Sequence, residues 1–141
     1  MNWDAIQTEL GRAFHPISSD PEQFVVGVPI SAKDVEHLQE ISLKPTTLET
    51  VPWLAMISPI ASGAQIDLAG MMAIQDHILL GAIVTRGDVL LLRHGIAMPP
   101  LTPDALRWNV TAFARAALRI KLGARRAPNT TAAHSHYTED F

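Results

Sequence analysis

Between Ile78 and Met98 the chain spells ILLGAIVTRGDVLLLRHGIAM, two apolar runs joined by Arg86-Gly87-Asp88. Gly87 supplies the positive φ that a tight hairpin turn needs. The second run does not alternate. Val89, Leu90, Leu91 and Leu92 are all apolar, so both faces of that strand are driven out of water. A lone small antiparallel sheet usually keeps one face wet. The second face therefore demands a cover: helices, a second copy of the chain or a client segment. That demand points to a binding module. Arg-Gly-Asp is also an adhesion tripeptide, but a turn explains it fully in a chain without a secretion signal.

The segment that follows carries the strongest local signal. Thr102 is a cap, Pro103 suits the first helical position and Asp104 sits in the first turn. The spacing predicts a helix to Lys121, with Leu106, Val110, Phe113, Ala117 and Ile120 as its core stripe and Gly123 as its stop. Trp108, Arg115 and Arg119 fall opposite that stripe, with Leu118 and Leu122 on the flank. An outward tryptophan beside arginines has the composition of a protein-interface hot spot. The plainer reading is that Trp108 folds down onto the domain or lies under the tail. Nucleic acid would use the same residues for stacking and phosphate contacts, but the wider basic groove is missing, so nucleic acid is not expected.

With 141 residues the chain is long enough for one core. It reads as one domain over residues 1–122 and a flexible tail over 123–141, where the sequence turns polar and loses its periodicity. There is no cysteine, which excludes disulfides and thiolate zinc sites. The start, MNWDAIQTELGRAF, is not a signal peptide. No apolar run approaches the ~20 residues of a membrane span. A cytoplasmic protein without membrane insertion is the expectation. Charge is uneven: residues 1–85 hold three basic against ten acidic residues, and residues 86–141 hold eight against four. Such a dipole can steer self-association or an acidic partner.

Upstream, Asn2 caps a helix over Trp3–Phe14 with Ile6 and Leu10 on its apolar face. His15-Pro16 ends it, and residues 18–21 are turn chemistry. Residues 23–28 (QFVVGV) read as a strand closed by Pro29. Residues 31–41 read as a short helix or an irregular excursion, and residues 45–49 as a connection. Residues 53–60 (WLAMISPI) read as a strand, placed at a sheet edge by Pro52 and Pro59. Asp67 begins a helix, LAGMMAIQDHI, that is apolar most of the way round. Burial on more than one side is expected of it, in the core or at a dimer seam.

No catalytic constellation is visible. The serines sit in caps, turns and strands, and the glycines are scattered singly rather than gathered in a phosphate loop. His134 and His136 with Glu139 and Asp140 hint at a metal, but in a tail without pattern. His77 is explained by its place at a helix end. His94, beside Arg93, reads as structural.

The order of short apolar helix (GMMAIQDHI), strand with a small-residue bend (LLGAIV), tight turn (TRGD), strand with a basic pair (VLLLRHGIAM) and Leu-Thr-start helix (PLTPDALRWNVTAFARAAL) resembles the YbjN / type III secretion chaperone-like family. The pattern covers roughly residues 65–121. It departs from the family in carrying Gln75, Asp76 and His77 where the middle helix often has an asparagine. The resemblance implies an α+β fold, a small twisted antiparallel sheet flanked by helices in a type III secretion chaperone-like sandwich. It also implies homodimers that hold an extended client against apolar surface without ATP.

Together these readings predict a non-enzymatic, chaperone-like or adaptor protein without cofactor or metal. It would form a homodimer and bind a polypeptide segment. Met71, Met72, Leu90 and Leu92 are expected at a self-interface or client groove, with Trp108, Arg115 and Arg119 as further contacts. The rival is a small regulatory or ligand-binding domain whose internal pocket gathers polar groups such as Arg93 and His94. A weaker rival is a metal-dependent enzyme using the histidines.

Overall fold

Helix α1 (Trp3–Ala13) starts where Asn2 turns its side chain to accept a hydrogen bond from the Ala5 amide at 2.8 Å. The computed structural model describes residues 1–62, 68–76 and 78–126. After α1 come β1 (His15–Ser19), β2 (Phe24–Ala32), β3 (Val35–Leu48), β4 (Val51–Ser62), α2 (Leu68–Gln75), β5 (Ala82–Arg86), β6 (Val89–Ala97) and α3 (Pro103–Arg126). The protein is α+β, with three helices and one open sheet of order β1-β2-β3-β4-β6-β5 among the described residues. Every strand pairing is antiparallel.

The core lies on one face of the sheet. Val26, Val28, Ile41, Leu43, Leu54, Met56 and Leu92 pack there against Ile6 and Leu10 of α1 and the stripe of α3. That stripe is the one its spacing predicts: Leu106, Val110, Phe113, Ala117 and Ile120 are all buried. The Thr102 hydroxyl caps α3 by accepting from the Ala105 amide. The helix does not stop at Gly123 but runs through it, buried, to Arg126. The 3.6-residue stripe continues to Ala124, also buried, so packing overrides a modest glycine penalty. The tail beyond, with His134, His136, Glu139 and Asp140, lies outside the described residues, as do Asp67 and His77. Glu9 of α1 ties the helices together, receiving Arg12 from its own helix and Arg107 from α3.

Three expectations are corrected. Residues 31–41 are not helical. Strand β2 runs through Pro29 and turns at Lys33-Asp34, and β3 continues through the expected connection to a second turn at Glu49-Thr50. All four turn residues take positive φ, between 50° and 69°, the backbone shape of a tight hairpin turn. His15-Pro16 does end α1, but it enters β1, an exposed edge strand with an irregular register at Pro16.

The third correction is β4, which is interior, between β3 and β6. Its prolines are accommodated locally. The β4–β6 register shifts between Pro59 and Ala61, and the β3–β4 ladder gives out beyond Ser42 and Ile57. There side chains replace it. Gln39 Nε2 donates to Ser58 Oγ at 2.7 Å and to the Pro59 carbonyl at 3.1 Å, and Ser58 Oγ donates to the Glu40 carbonyl at 2.6 Å. Both side chains are buried and satisfied.

Candidate binding surfaces

Alternation along β6 sorts the apolar run of Val89, Leu90, Leu91 and Leu92 onto two faces. Leu90 and Leu92 point inward, 5% and 0% exposed, into the shared core beneath the helices. The expectation that placed them at a self-interface or client groove is corrected. Helices cover that side, and the face left open belongs to Val89, Leu91, Arg93 and Gly95. Arg93 and His94 therefore point to opposite faces. His94 stacks on Phe113 with ring centroids 6.4 Å apart, and burial holds its pKa below the ordinary 6.5. The two do not converge in an internal pocket.

Helix α2 is covered on one side only. Ile74 is buried and Met71 partly so, but Met72 is 62% exposed. The expectation of burial on several sides is corrected, because α2 sits beside the sheet edge rather than between layers. It is joined to that edge where the Ile83 amide of β5 donates to Gln75 Oε1 at 2.8 Å.

The residues read as outward on α3 are brought together. Trp108, 69% exposed, lines a groove of about 580 Å3 with Arg115 and Arg119, and the opposite wall is Ile78, Leu79 and Leu80. Leu79 is almost wholly exposed. Trp108 is not folded onto the domain. Arg107, at the end of the groove, is engaged by Glu9 and Asp104.

A second surface escaped the sequence reading. No helix among the described residues covers the outer face of the sheet. Down its centre β4 presents Trp53, Ala55, Ile57 and Pro59, each half-buried by its strand neighbours. Residues 53–60 are apolar at nearly every position, the same signal that singled out Val89–Leu92. The edge placement drawn from the prolines concealed it. Small residues dent this face. Ala55 pairs with Gly95 and, on its other side, with Lys44, while Ala82 pairs with Arg93. Recesses of about 520 and 330 Å3 lie across the dent and share Thr46, Ala55 and Arg93, so they form one trough.

Among the described residues no three histidine, aspartate or glutamate side chains cluster as a metal site, and no helix is long and apolar enough to cross a membrane. Comparison with protein-family models, with curated proteins and with solved structures finds no match.

Proposed function

We propose that this is a cytoplasmic, non-enzymatic chaperone-like or adaptor protein that dimerises and binds an extended polypeptide segment on apolar surface. The observation that carries the reading is the outer sheet face, which no described helix covers, with an unbroken apolar row on its central strand. Covering such a row yields roughly 25 cal/mol for each Å2 of apolar area, offset by the cost of ordering the segment. A flat sheet face suits an extended client, whose alternate side chains all reach it. The seam between copies is assigned to the apolar side chains exposed elsewhere, Met72 of α2 and Leu79 and Trp108 of the α3 groove. The resemblance to type III secretion chaperone-like proteins adds support through the order of elements, and the uneven charge offers a means of steering.

The test has two arms. Solution mass by light scattering over a concentration series is compared for wild type and Met72→Glu. A wild-type dimer reduced to a folded monomer by the charge is the expected result. In parallel, a permanently unfolded, carboxymethylated test polypeptide is titrated by fluorescence anisotropy against wild type and Ile57→Lys. Binding by the first and at least about tenfold weaker binding by the second is expected. A monomer at every concentration that ignores the unfolded polypeptide overturns the proposal.

A further inference from the structure

The trough on the outer sheet face gathers positive charge beside apolar surface. Its narrower part is lined by Lys44, Arg86 and Arg93 together with Gln23, Ser42 and Thr46, and no carboxylate lines it. None of the three cations makes an ion pair with another described residue. This concentration of unpaired positive charge stands on a chain of net charge −3. The wider part is apolar, floored by Trp53, Ala55 and Val84. Charge and apolar floor meet at Arg93 and Ala55, which line both parts.

We propose that this trough seats an acidic stretch of the polypeptide client, an apolar side chain resting on Trp53 and Ala55 and neighbouring carboxylates held by Lys44, Arg86 and Arg93. The inference rests on the polypeptide-binding reading and adds the chemistry of the client. Arginine offers a fork of donors that matches a carboxylate, and a positive trough favours an acidic segment over a basic one through complementary potential. Glu40 fixes the direction of the segment. It lies on the same face of β3 as Lys44, with Ser42 between them, and repels a carboxylate placed over it. The acidic positions therefore lie toward Lys44, and neutral or basic ones toward Glu40. Gly95 keeps the trough open. A methyl there meets only Trp53 Cε3 at 3.8 Å and the Leu54 carbonyl oxygen at 4.0 Å, but a branched side chain would stand in the channel.

The test uses three short fluorescein-labelled peptides that alternate valine with glutamate, lysine or threonine, titrated against the full chain. The glutamate peptide is expected to bind about tenfold or more tightly than the other two, with affinity falling as salt is raised. Arg93→Glu, an exposed position, is expected to remove most of the preference for the glutamate peptide, and Gly95→Val to weaken all three. Circular dichroism and the thermal midpoint check that both variants are folded. Equal binding of all three peptides, unchanged in Arg93→Glu, overturns this inference and leaves the polypeptide-binding reading standing. Tighter binding of a thymidine oligonucleotide than of the glutamate peptide also overturns it, and makes the trough a phosphate site. Absence of any peptide binding overturns this inference, and if the unfolded polypeptide is also ignored by a chain that stays monomeric, the polypeptide-binding reading falls with it. If Arg93→Glu then also lowers the solution mass, the sheet face is the seam between copies.

Discussion

Two titrating side chains give the protein distinct acid sensitivities. Glu9 is buried between Arg12 and Arg107. The Arg12 hydrogen bonds, joined by those from Arg107, hold its pKa below 4.5 against the opposing effect of burial. Its contribution is thus present above pH 4.5 and lost as pH falls through the lower, folded value. His94 has a depressed pKa for a different reason, burial against Phe113. The unfolded chain takes up that proton first, so stability begins to fall as pH drops below 6.5 and the loss is complete below the folded value. Urea unfolding followed across pH should therefore show two declining limbs. His94→Leu should flatten the one that starts near 6.5, and Glu9→Gln the more acidic one. Gly81 is the other residue of consequence. It holds φ +87°, and a Cβ there would come 2.5 Å from the Arg93 carbonyl oxygen. Gly81→Ala should lower stability by more than about 1 kcal/mol, measured by the urea midpoint.

At the scale of elements, β4 and its neighbours decide how the sheet is held. Ser58→Ala removes the hydroxyl that accepts from Gln39 and donates to Glu40, leaving buried polar groups short of partners. A loss of about 1–3 kcal/mol is expected in equilibrium unfolding. The turn at Lys33-Asp34 is the opposite case. Both residues sit at positive φ, where asparagine and glycine are at ease. Lys33→Asn with Asp34→Gly should raise stability by up to about 1 kcal/mol. The same two residues explain what the sequence hid. Elements with their own punctuation were legible: α3 by Thr102, Pro103 and its stripe, and the β5–β6 hairpin by Gly87. Strand β3 was not, because neither of its turns carries glycine or asparagine and its first residues, Val35, Leu38 and Ile41, mimic a helical spacing. Of the candidate surfaces, Trp108, Arg115 and Arg119 followed from helical geometry alone. The sheet face did not, because proline's missing donor argued for an edge, and the register shift at Pro59 and the side-chain bridge of Gln39 and Ser58 that make an interior place tolerable are not written in the local pattern.

At the scale of the whole molecule, the described residues build two layers where three would bury everything. Helices α1 and α3 close one face of the sheet, and the other meets solvent through the outer rows of β3, β4, β6 and β5. Strand β4 therefore has two sides that answer to different demands. Met56, fully buried, answers to the core, and Met56→Ala should lower stability by about 2–5 kcal/mol. Ile57, next to it on the open side, is only half-buried. Ile57→Thr should change stability by no more than about 1 kcal/mol in the isolated protein while reducing any affinity that the face carries. Positions such as Ile57, Ala55 and Arg93 are in this sense a writable surface on a fixed scaffold. Substitutions can accumulate there and change the chemistry of the face without passing through an unfolded ancestor, whereas the row beneath has almost no such licence to drift.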